Sequence, residues 1–207
     1  MMTLELIQEK LARPLPGKAS QLKMAPEHRI AELFRVRDDD FNPRLSAVLC
    51  ILFPENDQWK VVFIRRSEYV GIHSGQISFP GGRYEESDGD LLVTALREVH
   101  EEIGMRPEEF EILGQLTDLY VPPSNFMVRT FVAYVKQRPQ YKIDTREVQE
   151  IIEVGLDCFF RTDIIRRKDF VAHNSALNTN APYFDVDGVI IWGATAMILT
   201  ELADLLK

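Results

Sequence analysis

Residues 79–105 read FPGGRYEESDGDLLVTALREVHEEIGM, and the rest of the chain is organised around this stretch. A pair of glycines is followed by an acidic loop and then by a helical segment that ends at Gly104. Each residue of an α-helix advances by about 100°, so Glu98 and Glu102 lie about 40° apart and Glu101 lies about 60° from Glu98. The sequence therefore predicts three carboxylates on one side of a short helix.

This clustering of like charges is unfavourable unless a cation lies beside it. Exposed like-charged pairs at this spacing cost about 0.2–0.5 kcal/mol each, and more where water is partly excluded. A divalent metal ion would reverse the cost, and Mg²⁺ prefers oxygen ligands. A second stripe of the same helix is apolar and predicts the face that docks on the domain; it consists of Leu92, Leu96, Val99 and Ile103.

The composition is that of an ordinary globular protein, with 207 residues, 45% of them hydrophobic and 27% charged. A formal net charge of -8 argues against nucleic acid and anionic membranes as partners, because proteins bind these partners mainly through clustered Lys and Arg side chains. No apolar run approaches the roughly 20 residues of a membrane helix, and the N-terminus lacks the order of a secretory signal. We therefore expect a small-molecule partner.

The two cysteines, Cys50 and Cys158, lie among apolar neighbours. That setting favours buried free thiols over a disulfide or a redox pair. Free thiols are typical of a reducing compartment, so we expect a cytoplasmic protein.

Local patterns along the chain predict helices and hairpins in alternation. We expect helices over residues 2–12, 26–36 and 194–206, a further helix from 156 toward 164, and a solvated loop, or alternatively a metal site, at the aspartates 38–40. We expect hairpins of 45–53 with 59–65 and of 183–186 with 189–192, strands over 76–79, 110–116 and 128–135, a strand or a short helix over 147–154, and a basic patch over 161–168. This mixture predicts an α/β (α+β) fold in which a mixed sheet lies between helices, rather than a doubly wound parallel sheet.

The glycine turn and the acidic helix resemble the Nudix box. Its usual form is Gly, five residues, Glu, seven residues, Arg-Glu, an aliphatic, any residue, Glu-Glu, any residue, Gly and an aliphatic. Asp88 stands in place of the first Glu, with one extra residue before the Arg, and this departure is similar to the coenzyme A pyrophosphatase branch of the family. The positions that match are Gly82, Arg97, Glu98, Val99, Glu101, Glu102, Gly104 and Met105.

The loop before the box is also similar to that branch. Arg66-Ser67, Gly75 and residues 79–82 stand in its order and spacing, while Gly71 stands where the branch has a spaced Arg. Residues 191–196 resemble the branch as well, so the resemblance covers roughly residues 45–200. It implies a Nudix-type α/β/α sandwich over residues 41–207, preceded by an N-terminal helical extension over residues 1–40, which makes a homodimer plausible.

The resemblance also implies roles for individual residues. Glu98 and Glu102 would be the main ligands of Mg²⁺ or Mn²⁺, Gly81 would add its carbonyl, and Glu101 would be a further ligand or a proton acceptor. Arg97 would orient the acids by pairing with Glu101 or with a carboxylate elsewhere. A later general base would be Glu147 or Glu150. The residues expected to contact the substrate are Arg66, Ser67, His73, Gln76 and Tyr120, whereas Trp192 is expected in the core.

Three functions follow as hypotheses. The first is hydrolysis of the pyrophosphate bond of coenzyme A or acyl-coenzyme A, giving 4′-phosphopantetheine and adenosine 3′,5′-bisphosphate. The second is hydrolysis of another nucleoside diphosphate derivative, such as ADP-ribose or NADH, which the Gly at position 71 favours. The third is noncatalytic nucleotide binding, for which we would expect the acidic residues to be lost, and they are intact.

Overall fold

A computed structural model of the chain describes residues 2–34, 42–67, 74–171 and 178–207. An eight-stranded mixed sheet lies between helices on its two faces, and a three-stranded sheet packs beside it. The α/β/α sandwich expected from the sequence is therefore confirmed. Residues 38–40, Gly71 and His73 lie outside the described residues.

The elements follow in chain order. The helices are α1 (Leu4–Leu11), α2 (Lys18–Gln21), α3 (Glu27–Phe34), α4 (Leu91–Ile103) and α5 (Gly193–Leu206). The large sheet contains β1 (Arg44–Glu55), β2 (Gln58–Arg66), β3 (Ile77–Ser78), β4 (Gly81–Arg83), β5 (Glu111–Gln115), β6 (Leu119–Val121), β7 (Phe126–Tyr134) and β8 (Val148–Gly155). The small sheet contains β9 (Ile165–Val171), β10 (Asn178–Val186) and β11 (Val189–Trp192).

Strand β1 organises the large sheet. It forms the expected antiparallel hairpin with β2, runs parallel to β7, and pairs with β4 so that Val48 lies opposite Gly81. Side chains alternate between two cores, with Cys50 and Leu52 on the face covered by α5 and Leu49 and Ile51 on the face covered by α4. Because β4 pairs with β1, the glycine turn lies beside a central strand of the large sheet.

Helix α4 begins and ends as expected. The Asp90 carboxylate accepts hydrogen bonds from two backbone N–H groups of the first turn, and Gly104 closes the helix with a φ of 76°. The expected docking face was wrong in part: Val99, Ile103 and the half-buried Leu96 pack against the core, whereas Leu92 is half-buried outside it. The buried face of α4 is rotated toward Thr94, Ala95, Val99, Glu102 and Ile103, so one glutamate enters the interior with the apolar side chains.

Other expectations for the second half of the chain need correction. Of the two alternatives for residues 147–154, the strand is confirmed as β8 (Val148–Gly155). Leu156–Phe160 forms one short 3-10 helix rather than an α-helix that reaches residue 164. The basic patch of residues 161–168 runs into strand β9. Its pairing with β10 depends on contacts that the local sequence pattern cannot show.

Helix α5 is almost fully buried and confirms the expected C-terminal helix. Its 14 residues pack between the large sheet and the N-terminal segment. Across the described ranges, no helix is both long and apolar enough to cross a membrane. Cys50 is buried and Cys158 is half-buried, and both are free thiols, as expected.

The N-terminal segment is held to α5 by a buried carboxylate. The side chain of Glu201 is fully buried and accepts hydrogen bonds from the Gly17 N–H at 3.2 Å, the Gln21 side-chain amide at 2.8 Å and the Thr117 N–H at 3.2 Å. Ile7, Leu11 and the residues near them join the core on the same face. A domain boundary at residue 40 stays a prediction.

Replacement of Glu201 by Ala is expected to lower the free energy of unfolding by about 2–4 kcal/mol, because one buried and two partly buried N–H donors would lose this acceptor. Urea denaturation measures the change. Glu108→Ala, at an exposed position, serves as the control and should shift stability by less than about 0.5 kcal/mol. Equal values for the two variants would contradict a structural role for Glu201.

Candidate active site

The guanidinium of Arg97 connects the acidic loop to the glutamates of α4. Its Nε and Nη2 donate to the two oxygens of Asp88 at 2.8 and 3.0 Å, and Nη2 also donates to the Arg83 carbonyl at 3.0 Å. Its Nη1 donates to Glu98 at 3.0 Å and to Glu101 at 3.1 Å. Arg97 therefore pairs with Glu101, as expected, but also with two other carboxylates.

Asp88 is the residue whose role the sequence did not reveal. Its side chain is 2% exposed and also accepts hydrogen bonds from the Thr94 hydroxyl at 2.8 Å and the Glu85 N–H at 3.0 Å. The hydrogen bonds from Arg97 hold the pKa of Asp88 well below its usual range. The signal was its place between Gly82 and Arg97, where the Nudix pattern has a Glu.

Glu102 is a buried carboxylate that accepts hydrogen bonds from two donors. Its side chain is 1% exposed and accepts hydrogen bonds from the Gly81 N–H at 2.8 Å and from Arg66 at 3.2 Å. Burial raises the pKa of Glu102 to about 8, although Arg66 and the Gly81 N–H act in the opposite direction. The neighbouring charges of Glu98 and Glu147 raise the pKa further. Burial and the neighbouring glutamates thus disfavour the ionised form of Glu102, and a cation bound beside it would favour that form.

The two glycines of the turn allow the backbone to approach these carboxylates. A Cβ at Gly82 would lie 2.3 Å from the carboxyl carbon of Glu98, so any side chain there would displace the glutamate. Gly81 has a φ of 143°, and a Cβ there would lie 2.4 Å from the Ala47 carbonyl oxygen. The glycine pair therefore forms a cradle for the Glu98 carboxylate beside strand β1.

Glu98 and Glu147 are two further glutamates whose charges act on Glu102. Burial raises the pKa of Glu98 against the effect of Arg97, and the charges of Glu101 and Glu147 raise it further. Glu147 is exposed, and its charge acts on both Glu98 and Glu102, whereas Glu150 pairs with Arg65. The structure therefore brings Glu147, and not Glu150, toward the two inner glutamates.

The donor set fits a hard divalent cation. Mg²⁺ is usually held by one or two carboxylates together with substrate phosphates and water, and Glu98 and Glu102 supply such a pair. Within the described residues, no group of three His, Cys, Asp or Glu side chains has the arrangement of a complete metal site. Glu101 points outward with 54% of its side chain exposed. The ligand set of Glu98, Glu102, Glu101 and Gly81 stays a prediction.

A cavity of about 620 Å³ opens beside Glu98, which lines it. Its polar end includes Arg66, Gln76, Ser78, Gly82, Arg83 and Glu98, and its apolar end includes Leu33, Leu119, Val121, Phe126, Met197 and Ile198. Of the expected substrate contacts, Arg66, Gln76 and Tyr120 line this cavity. The hydroxyl of Ser67 instead donates to the Thr145 carbonyl at 3.2 Å, and His73 lies outside the described residues.

Parts of the cavity wall come from elements that local sequence patterns did not connect to the site. Pro26 and Leu33, at either end of the α3 region, contribute, and so do Thr179 of β10 and Thr195 of α5. Trp192 also lines the cavity and is half-buried, so its expected place in the core was wrong in part. Trp192 and Thr195 belong to residues 191–196, which resemble the coenzyme A branch, whereas the contributions of the α3 region and Thr179 depend on long-range packing.

Comparison with known proteins decides the family. The model of the NUDIX domain matches residues 43–177. The chain belongs to the Nudix family. Proteins named uncharacterized Nudix hydrolase NudL from Citrobacter koseri and Enterobacter sp. are 32% and 33% identical to it, over 82% and 80% of this chain and 86% and 84% of their own lengths.

Solved Nudix structures share its fold. The crystal structure of a NUDIX hydrolase from Alicyclobacillus acidocaldarius matches with a TM-score of 0.56 at 17% identity, over 80% of this chain and 93% of that protein. A MutT/nudix family protein from Enterococcus faecalis matches with a TM-score of 0.55 at 14% identity, over 98% and 73%. The Nudix assignment of the sequence is therefore confirmed.

This Nudix protein is an enzyme of a pyrophosphohydrolase family. Its reaction is hydrolysis of a nucleoside diphosphate derivative, and Nudix hydrolases generally use divalent metal ions such as Mg²⁺ or Mn²⁺. The cradled carboxylates lie in the segment that resembles the Nudix box.

Replacement of Asp88 by Asn is expected to lower the free energy of unfolding by about 2–4 kcal/mol at neutral pH, because Arg97 would lose a buried ionic partner. The pKa of folded-state Asp88 is lowered, so its ionised form stabilises the fold above its unfolded pKa of about 3.9. That contribution is lost as the pH falls through the lowered folded-state pKa. Chemical denaturation as a function of pH should show the difference between wild type and variant shrinking below about pH 4.

Asp90→Asn is the matched control for this substitution. Asn caps a helix about as well as Asp, so the variant should lose less than about 1 kcal/mol. A stability difference for Asp88→Asn that is no larger than this, or that grows as the pH falls below about 4, would contradict the role given to the Arg97–Asp88 pair.

Proposed function

We propose that the enzyme hydrolyses the pyrophosphate bond of coenzyme A or acyl-coenzyme A, giving 4′-phosphopantetheine, or its acylated form, and adenosine 3′,5′-bisphosphate. One observation supports it above the others: the carboxylate end and a long apolar wall belong to the same cavity. Coenzyme A combines a charged pyrophosphate with a long pantetheine arm, so it matches both ends. The similarity of the loop before the Nudix box to the coenzyme A branch supports the same choice.

The two ends of the cavity suggest how such a substrate would lie. The pyrophosphate would lie near Glu98 and Arg66, where the donors and carboxylates are. The pantetheine arm, with any acyl group, would follow the wall formed by Leu119, Met197 and Ile198, which removes apolar surface from water. A pyrophosphate alone would leave this wall empty.

The residues of the site would divide the chemistry among them. Glu98 and Glu102 would hold the divalent cation, with the Gly81 carbonyl as a further oxygen ligand. Such a cation neutralises charge on phosphate oxygens and lowers the pKa of water when bound. Arg66 both fixes Glu102 and borders the cavity, so it would orient a phosphate beside the carboxylates.

Glu147 is the better candidate for a general base outside α4. Its carboxylate is exposed to solvent, and its charge acts on both inner glutamates. Glu150, the other candidate, is held by Arg65. Glu147 would accept a proton from the attacking water on the solvent side of the site.

A second nucleoside diphosphate derivative, such as ADP-ribose or NADH, is the alternative substrate. The observation that favours it is Gly71, where the coenzyme A branch has an Arg that could contact an additional phosphate. Noncatalytic nucleotide binding is the third candidate, and the intact Glu98, Glu101 and Glu102 argue against it.

Location and assembly are also proposals. The free thiols of Cys50 and Cys158 are consistent with a reducing, cytoplasmic location. A homodimer remains the expected assembly, and light scattering of the purified protein would test it.

Incubation with Mg²⁺ or Mn²⁺ and each of coenzyme A, an acyl-coenzyme A, ADP-ribose and NADH, followed by mass analysis, tests the substrate. We expect the two coenzyme A substrates to give phosphopantetheine products and adenosine 3′,5′-bisphosphate, with ¹⁸O from labelled water in one product phosphate. Turnover of ADP-ribose with coenzyme A untouched would contradict the proposal, and an absence of label would exclude attack by water.

Replacement of Glu102 or Glu98 by Gln is expected to lower kcat/KM by more than about 100-fold, because loss of a ligand should cost more than loss of an outer partner. Glu101→Gln should cost less, since its side chain is mostly exposed. Glu108→Gln is the matched control on the surface. A loss for Glu101→Gln equal to that for Glu102→Gln would place Glu101 among the ligands.

A further inference from the structure

The small sheet presents a basic and aromatic face beside the cavity. In its register Thr179 lies opposite Phe170, Ala181 lies opposite Lys168, and Tyr183 lies opposite both Arg166 and Trp192. Residues that are paired across strands, and alternate residues along a strand, point to the same side. One face of the sheet therefore contains Arg166, Lys168, Phe170, Tyr183 and Trp192.

Lys168 is the cation at the centre of this face. Its ammonium nitrogen lies 4.8 Å from the centre of the Phe170 ring and 5.2 Å from the centre of the Tyr183 ring, and its side chain is half-buried. In the part of the chain that the structure describes, no carboxylate lies within ion-pair distance of it. The two rings thus fix a partly desolvated positive charge that can accept an anionic partner.

Contacts between rings place this cation next to the cavity. The Phe170 ring stacks on the Trp192 ring with 3.9 Å between centres and 7° between planes. Trp192 and Thr179 line the cavity. Lys168 therefore lies over Phe170, the ring that stacks directly on the cavity-lining Trp192.

The same face adjoins the carboxylate end of the cavity. The Thr195 hydroxyl, three residues after Trp192, donates to the Ile77 carbonyl at 3.1 Å. The preceding residue, Gln76, accepts at its carbonyl from the Arg66 N–H at 3.0 Å, and Arg66 pairs with Glu102. A molecule whose pyrophosphate lies near Glu98 and Arg66 can therefore extend its nucleotide half toward the small sheet.

We propose that this face binds the nucleotide half of the substrate, with Lys168 contacting a phosphate monoester on the ribose and Trp192 lying against the base. A phosphate monoester carries about -1.5 to -2 charges and binds Lys well, and bases stack on aromatic rings. The inference rests on the proposed function, because coenzyme A has such a phosphate at its 3′ position. Lys168 would supply the cation that is absent at Gly71.

Arg83 is a competing cation at the carboxylate end of the cavity, whose lining also includes Arg29 and Arg66. Arg83 is exposed, lines the cavity and follows Gly82, the residue that cradles Glu98. That position lies at the carboxylate end, where every substrate would place its pyrophosphate. Arg83 would therefore assist substrates with and without a 3′-phosphate equally, whereas Lys168 would distinguish them.

Kinetics with coenzyme A and dephospho-coenzyme A, which lacks the 3′-phosphate, test this assignment. We expect the wild type to prefer coenzyme A, and Lys168→Met to lower kcat/KM for coenzyme A by about 10- to 100-fold and for dephospho-coenzyme A by less than about threefold. Lys168→Arg should keep the preference, and Arg83→Met should lower both substrates alike. A preference that survives in Lys168→Met, or that disappears in Arg83→Met, would overturn the proposal.

Arg167→Met is the matched control for charge. Arg167 is the next residue on β9 but points to the opposite side, where it pairs with Glu27 at 3.0 Å. Arg167→Met removes one positive charge from nearly the same place as Lys168→Met. If both variants reduced the preference for coenzyme A over dephospho-coenzyme A equally, the preference would come from the overall electrostatic field, which would contradict a direct contact. A misfolded variant would lose activity on both substrates, which separates folding from selectivity.

Calorimetric binding of adenosine 3′,5′-bisphosphate and AMP separates this inference from the proposed function. We expect the bisphosphate to bind the wild type about 10- to 100-fold more tightly than AMP, and this difference to vanish in Lys168→Met. If that result appears while coenzyme A is not hydrolysed, the proposed substrate fails and the phosphate site stands. If coenzyme A is hydrolysed while the two nucleotides bind equally, the phosphate site fails alone.

Discussion

The enclosed carboxylate of Glu102 is the constraint on which the rest of the site depends. It joins helix α4 to strand β4 through the Gly81 N–H and to strand β2 through Arg66. A carboxylate with 1% of its side chain exposed is costly unless it is hydrogen-bonded and compensated. Glu102 therefore keeps both of its hydrogen-bond donors only when helix α4, the glycine turn and strand β2 hold these positions together.

On the outer side of the same helix, the positive charge of Arg97 is balanced by the buried carboxylate of Asp88. Arg97 distributes its donors among Asp88, Glu98 and Glu101, so the acidic loop and the helix are fixed to each other. It draws charge away from the outer glutamates but does not contact Glu102. Glu98 pairs with Arg97 and Glu102 pairs with Arg66, while the charge of Glu147 acts on both, so the inner pair is where a cation bound by the fold would be expected.

The sequence was most informative where structure is local. The caps of α4, the β1–β2 hairpin and the spacing of the glutamates follow from neighbouring residues, and the structure has them as expected. The burial of Glu102, strand β9 and the α3 wall of the cavity depend on pairings between distant segments. Local periodicity also favoured Leu92 for the docking face, because it cannot show which side of a helix meets the sheet.

Thermal unfolding in the presence of increasing Mg²⁺ or Mn²⁺ tests the central claim, that Glu98 and Glu102 form a cation site, without relying on turnover. An ion that binds only the folded state raises Tm, and the rise grows with the concentration of the ion. We expect this rise in the wild type and in Glu108→Gln, and its loss in the variant with both Glu98→Gln and Glu102→Gln. A wild-type Tm that does not respond to either metal, or an equal rise in the double variant, would contradict the claim.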